Sequence, residues 1–436
     1  SSFATLIKKG GPVLLPYTST LENNFFRGIA ATVQLSKRFE CTAFASHRNV
    51  DANLGEPDSL IDYDFGFTSL QASGFHRTQA EIDDKNAIKS TDAGLNLKYN
   101  YRNLSISLNG LYTEFNRVFI PQKRLDNLYA FSGKSLSNIS FDYAYIYRNF
   151  YFFGETARSD NGALATVNGV LITLDRRVDL ALFHRYLPVA YQSLNPRVFA
   201  EGSTGSNEKG FYLGAKFYPA RGWTIDAYFD VWKNPWLRFN VASPSVGREY
   251  LTKIQYSIKR KFDIYIQYKN ETKAQNISES ELLKKVGDQN KQQVRVHLAH
   301  KLNKHLELRS RFEWVFYRDA SSQNSNGFMV FQDVLYKPIQ IPVSFTARLA
   351  YFDTKDYSSR IYAFENDLLY SFSIPPYYYK GARWYLNVRS KIARNIMLEA
   401  GIAQTILANQ KTIGSGLEQI NGNTKTELRA QMKLSF

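Results

Sequence analysis

The residues most able to do chemistry crowd into one stretch, SGFHRTQAEIDD at 73–84. Ser73, His76 and the pair Asp83–Asp84 are the parts of a hydrolytic triad: nucleophile, base and orienting carboxylate. Such groups converge in space rather than along the chain, so loop packing is the plainer reading. His76 still anchors one alternative, a hydrolase acting on lipid or peptide. His297 and His305 flank a short turn at 301–304, where a polar structural role is the plainer reading than a catalytic dyad. Asp51, Glu56, Asp58, Asp62 and Asp64 offer oxygen ligands to a hard cation, but their spacing is not that of a calcium loop. Cys41 is the single cysteine, which excludes a disulfide framework and a Cys-based zinc site. There is no HExxH and no phosphate-cradling Gly-rich loop, and NPR at 195–197 and NPW at 234–236 read as turns. No catalytic residue, cofactor or metal is expected.

The elements that would position these groups are strands. Along TELRAQMKLSF at the end of the chain, Leu428, Ala430, Met432, Leu434 and Phe436 alternate with Glu427, Arg429, Gln431, Lys433 and Ser435. Period two puts the two sets on opposite faces of one strand. The pattern recurs: Leu306, Leu308, Phe312, Trp314 and Phe316 oppose Glu307, Arg309, Arg311 and Glu313, and Trp223, Ile225, Ala227 and Phe229 oppose Thr224, Asp226, Tyr228 and Asp230. Counted along the chain, the pattern gives about 20 strands. Short turns near 36–38, 101–103, 174–177, 259–261 and 301–304 alternate with long connections such as 47–91, 113–135, 187–208, 231–248 and 270–290. This is the arrangement of an outer-membrane barrel.

Composition agrees. The chain of 436 residues carries 29 Tyr and 31 Phe, with a mean hydropathy of −0.36. It lacks the run of about 18 apolar residues that a membrane helix needs. Strands of a transmembrane barrel escape that test, because half their residues are polar. The fold class expected is all-β: a large transmembrane antiparallel β-barrel occupying 1–436, or the C-terminal portion of one. Apolar faces meet lipid and polar faces meet a lumen. Tyr99, Tyr145, Tyr212, Trp232 and Trp384 are the expected interfacial girdle. TQAE at 78–81 predicts a short helix with Thr78 as N-cap and Glu81 as its capping-box partner.

Strand parity exposes a conflict. If the short turns are periplasmic, strand 26–35 and the last strand both run toward the periplasm, so the count from 26 onward is odd. One assignment within 341–390, a region that includes a strand at 359–371, is therefore surplus. SFSIPPYYYKG at 371–381 is the weakest stretch, since Pro375 and Pro376 cannot serve an interior ladder. The count also asks for a strand before residue 26. The chain opens without an initiating Met or a signal segment, as expected after cleavage of a signal or in the tail of a longer protein.

The formal net charge is +16. Lys37, Arg38, Arg102, Arg148, Arg176, Arg177, Arg221, Lys259, Arg260, Lys261, Lys301, Lys304, Lys337, Lys391 and Arg394 lie at or beside the short turns. One basic rim fits the anionic headgroups of outer-membrane lipids better than a nucleic-acid groove, which interleaves basic and aromatic groups along a cleft. The lumen set, Asp226, Asp230, Glu307, Arg309, Arg311, Glu313, Glu427, Arg429 and Lys433, has mixed signs and is expected to pair across strands.

NNFFRGIAATVQL at 23–35, SGFHRTQAEIDDKNA at 73–87, EGSTGSNEKGFYLG at 201–214, DVWKNPWLRF at 230–239 and the terminal TIGSGLEQINGNTKTELRAQMKLSF together resemble a family of large Bacteroidota outer-membrane proteins. Members are often named for a helix-hairpin-helix segment that precedes the barrel. The resemblance implies that this chain corresponds to the C-terminal barrel portion, and it supplies no catalytic residue. No helix-hairpin-helix is visible here, so DNA handling is not carried over. The function expected is a non-enzymatic outer-membrane barrel, acting as a channel or as a subunit of a larger outer-membrane assembly with other outer-membrane or periplasmic proteins. Beside the barrel-embedded hydrolase stands a second alternative, nucleic-acid binding or uptake, which the placement of the basic residues at one rim disfavours.

Overall fold

The structure, a computed structural model, describes residues 4–8, 11–18, 23–55, 66–277 and 284–435. Glu56, Asp58, Asp62, Asp64 and Phe436 lie outside the described residues. In chain order the elements are β1 (Gly28–Gln34), β2 (Phe39–Leu54), β3 (Phe67–Gln71), α1 (Gln79–Asp83), β4 (Ile88–Tyr101), β5 (Leu104–Phe119), β6 (Gly133–Tyr147), β7 (Phe150–Ser159), β8 (Leu164–Asp175), β9 (Val178–Leu187) and β10 (Glu208–Phe217). There follow β11 (Trp223–Asn234), β12 (Ser245–Ile258), β13 (Phe262–Asn276), β14 (Val286–Lys301), β15 (Leu306–Arg318), β16 (Asn324–Tyr336), β17 (Val343–Thr354), β18 (Ile361–Tyr362) and β19 (Pro376–Tyr377). The chain ends with β20 (Lys380–Ala393), β21 (Ile396–Leu407), β22 (Thr412–Ile413), β23 (Ile420–Asn421) and β24 (Thr424–Leu434).

A 20-stranded sheet holds all of these strands except the short pairs β18–β19 and β22–β23. Successive long strands are antiparallel: Tyr101 faces Leu104 across a two-residue turn, and Ile396 faces Leu434. β3 is a five-residue addition that pairs with the end of β2. With β3 set aside, an odd number of long strands is left. The surplus strand was 359–371, of which only Ile361–Tyr362 is extended and paired, and to β19 rather than to the sheet. Several strands run further than the alternation suggested. β2 continues to Leu54, β5 to Phe119 and β13 to Asn276, so the loops begin later than 47, 113 and 270. No strand is formed by the described residues before Gly28.

Two compact units make up the chain: Ser1–Lys216 with Tyr228–Arg248 and Ser278–Val286, and Phe217–Ala227 with Glu249–Ile277 and Gly287–Phe436. In each, the sheet is built inside out relative to a water-soluble fold. Ile29, Leu108, Ile139, Leu349, Leu428 and Met432 are exposed, whereas Asp92, Asn96, Asp230, Glu313, Asp333 and Arg383 are buried. Burying charge while exposing aliphatic side chains is unfavourable in water. It becomes favourable when the outer face meets hydrocarbon and the inner polar groups satisfy one another. They do so in ladders: Asn96 donates to Asn109 (2.6 Å), which donates to Asp142 (2.8 Å), and Thr113 donates to Asp92 (2.8 Å). Tyr212 and Trp232 correct the expected girdle. Both are buried on the inner face, whereas Tyr145 is exposed.

Candidate functional site

The second unit turns a loop inward. Residues 355–379 join β17 to β20 as a narrow hairpin, paired at β18–β19 and by a bridge between Glu365 and Ser373. Its tip closes where Ser371 N donates to Leu368 O (3.0 Å). Pro375 and Pro376 lack the donors that a longer ladder needs, so pairing is short and the segment does not join the sheet. One face, Ile361, Ala363, Glu365 and Tyr377, is buried; the other, Tyr362, Phe364, Phe372 and Ile374, is exposed. The buried face rests on an apolar cushion of Val315, Met329, Phe331, Ala350 and Phe352. These are inner-face positions of β15, β16 and β17, where polar residues are the rule elsewhere.

Charges pin the hairpin to the wall. Arg383 forks onto Glu365 through two bonds of 2.8 Å, and the same carboxylate accepts from Tyr377 OH (2.5 Å). Arg348 forks onto Asp333 (2.5 and 2.7 Å), lies 3.6 Å from the Phe331 ring centroid and donates to Phe364 O (2.8 Å). Tyr385 OH accepts from Asn366 N (3.2 Å), and Glu399, itself paired with Arg389, accepts from Leu369 N (2.7 Å). Asp367 pairs with Arg429, and Lys433 donates to Tyr370 OH (3.2 Å). The hairpin leaves the wall at Thr354 and Tyr379, beside Lys380, and reaches the level of Arg389 and Lys433. Nine residues of β20 separate Lys380 from Arg389, about 30 Å along the strand. The hairpin therefore runs down most of the wall. Burial pushes the Tyr377 hydroxyl upward, and Glu365 beside it adds to the shift.

The expected lumen residues lie on this inner face with defined partners. Glu313 pairs across strands with Arg295 (2.7 Å), but Arg309 pairs along its own strand with Glu307 (2.7 Å). Glu427 accepts from Arg383 (2.9 Å) and lies 3.3 Å from Arg429. Asp226 lies 3.9 Å from Lys253. Arg311 has no carboxylate or hydrogen-bond partner among the described residues; it lies 5.2 Å from the Phe331 centroid.

In the first unit, Asp230 and Glu208 share Arg185, with Asp230 at 2.9 Å and Glu208 at 2.5 Å. Glu208 also accepts from Glu201 N (3.1 Å) and Gly202 N (3.0 Å), which draws the loop after β9 inward. Phe199 from that loop meets Phe183 and Tyr212 edge-on. The N-terminal segment lies on the same wall, with Ala4 O accepting from Tyr212 OH (3.1 Å) and Ile7 buried. Gly210 and Gly214 make the room: a Cβ at Gly210 would stand 2.5 Å from Arg185 Cζ, and one at Gly214 would stand 1.9 Å from Ala4 O.

His76 is oriented by Asp51 (2.9 Å), not by Asp83 or Asp84, and Asp51 also accepts from Asn86 N (2.9 Å). No nucleophile is hydrogen-bonded to His76 among the described residues. Nearby, Thr78 caps α1 by accepting from Glu81 N (3.3 Å), and Glu81 reaches back to Arg77 N (2.7 Å). The Arg77 side chain, then its backbone N–H, draw the Glu81 carboxyl down to about 2. At the short turns, Lys37, Arg38, Arg176, Arg177, Lys259, Arg260 and Lys261 are exposed. Arg38 and Arg102 stack on Tyr101 (4.6 and 5.2 Å), and Arg148 on Tyr147 (5.3 Å).

No family model and no curated protein matches the chain. Solved structures do. FpvA of P. aeruginosa, bound to heterologous pyoverdines, superposes with a TM-score of 0.51 at 10% identity, over 93% of this chain and 64% of that one. The siderophore receptor PirA from Acinetobacter baumannii gives 0.52 at 9% identity, over 93% and 70%. The copper transporter OprC gives 0.51 at 9% identity, over 93% and 71%. The fold is that of an outer-membrane β-barrel. The chain spans a little under two thirds of the FpvA chain. Its apolar outer face lies in the outer membrane of a Gram-negative bacterium. Among the described residues no helix is long and apolar enough to cross a membrane.

Proposed function

We propose that the chain is a non-enzymatic outer-membrane passage whose inner face is narrowed by the hairpin at 355–379, working alone or as a subunit of a larger outer-membrane assembly. The observation that carries this reading is the hairpin itself. It is pinned by Arg348, Arg383 and Arg429 to a polar wall, yet its opposite face is exposed. A hairpin serving only to fill space would have packing on both faces. Neighbours of the same fold are named as a siderophore receptor and a copper transporter, which favours movement of a solute. The basic side chains stacked on Tyr101 and Tyr147 fit the interfacial layer, where lipid phosphates lie.

The test is conductance of the purified protein in planar lipid bilayers, beside a variant in which 361–377 is replaced by a short Gly-Ser linker. Stepwise conductance that rises on removal of the hairpin is expected. Silence from both proteins, with native heat-modifiable mobility, overturns the passage. Co-purification from mild detergent then separates a lone barrel from a subunit.

A further inference from the structure

We propose that the inner face of the second unit carries a binding station for an oxyanion-bearing solute, a carboxylate or a phosphate, centred on Arg311 of β15 and His297 of β14. The inference deepens the passage reading, on which it rests, by naming the class of solute. Arg311 and His297 are direct cross-strand partners. Arg311 Nε and His297 Nδ1 are both buried, and neither has a hydrogen-bond partner among the described residues. Buried polar atoms are almost always satisfied, so two orphans on adjacent strands at one register mark a place where a further partner belongs.

The surroundings fix the sign of that partner. Nearby carboxylates are already engaged: Glu313 by Arg295, Glu307 by Arg309, Asp333 by Arg348, and Asp263, which faces His297, by the side chains of Gln255 and Ser257. Arg311 is the guanidinium left over. Phe331 covers one side of it at 5.2 Å, and the Tyr265 ring lies 5.2 Å from that of His297. A planar guanidinium with free donors suits a carboxylate or phosphate, which it grips through two parallel bonds. The neutral alternative, water, would satisfy both nitrogens without discriminating among solutes.

The experiment measures broadening of the phosphorus NMR line of inorganic phosphate by the full chain in detergent, which does not depend on conduction. Wild-type protein is expected to bind. Arg311→Gln should weaken binding at least 10-fold, Arg311→Lys should restore part of it, and Lys411→Gln, in the exposed loop after β21, should change nothing. Absence of binding by wild type, or equal binding by Arg311→Gln with native mobility, overturns the station. If Arg311→Gln does not fold, the lysine variant decides: binding unchanged from wild type means that the fork is not used. Phosphate binding by a protein that never conducts would instead sink the passage and leave the station standing.

Discussion

Replacing Glu365 with glutamine tests whether charge holds the hairpin against the wall. Glu365 and Arg383 have side chains only 4% and 7% exposed. Removing one member of a buried ion pair costs about 3–5 kcal/mol, because the other charge is left without compensation. Arg383 keeps Glu427, whose side chain is 22% exposed, so the lower end applies, about 3 kcal/mol. If that cost falls on the docked state alone, the undocked fraction rises on the order of 100-fold, since about 1.4 kcal/mol is a factor of ten. The reporter is a cysteine at Ala363, which is 1% exposed on the buried face, in a Cys41→Ala background. When docking is fast relative to modification, the rate of labelling by a water-soluble maleimide follows the undocked fraction. Labelling of the Glu365→Gln protein should then be on the order of 100-fold faster than in its parent, with heat-modifiable mobility unchanged. Equal rates would show that the apolar cushion under Ile361 and Tyr377, rather than the ion pair, holds the hairpin.

On β24, Ala430→Arg should destabilise the inserted protein by roughly 2–4 kcal/mol if it lies near the bilayer midplane, and Gln431→Arg by much less; reversible unfolding from vesicles measures both, and a larger cost at Gln431 would invert the faces. A cysteine at Arg176, in the turn after β8, should resist an impermeant reagent in intact cells, whereas one at Leu125, exposed in the loop after β5, should label; equal labelling would refute the topology. The Glu81 carboxyl, held near 2 by Arg77, lies below its unfolded value, so its contribution to the α1 cap is complete above the ordinary carboxylate range and is lost only as pH falls through about 2. Side-chain carbon NMR of glutamate-labelled protein should show Glu81 still ionised at pH 4, and an ordinary titration would remove the Arg77 contact.

What the sequence made legible was the part of each strand that crosses the lipid, because only there do the two faces meet different media. Beyond it the pattern is uneven: at 113–119 Phe115 and Phe119 share a face with Thr113 and Arg117, whereas at 47–54 Val50, Ala52 and Leu54 still alternate with Asn49, Asp51 and Asn53, and both stretches remain extended. The hairpin failed in the opposite direction. Ile361, Ala363 and Glu365 alternate with Tyr362 and Phe364 because one face docks on protein and the other stays exposed, which imitates a membrane strand. The trace of its true position lay elsewhere, in Val315, Met329, Phe331, Ala350 and Phe352. They make both faces of β15–β17 apolar over one stretch, and only a segment docking from within gives apolar side chains a reason to point inward. Partners were less accessible still. Alternation put Glu307, Arg309, Arg311 and Glu313 on one face, yet whether an arginine bonds along its strand or across it depends on register, which period two leaves free. Arg309 bonds along, Arg295 bonds across, and Arg311 is left over. Asp51 lies 25 residues from His76 and reaches it only because β2 runs on past the lipid and the helical loop folds back beside it. In both places the chemistry-bearing contact was fixed by how far a strand extends or where it pairs, neither of which its own alternation encodes.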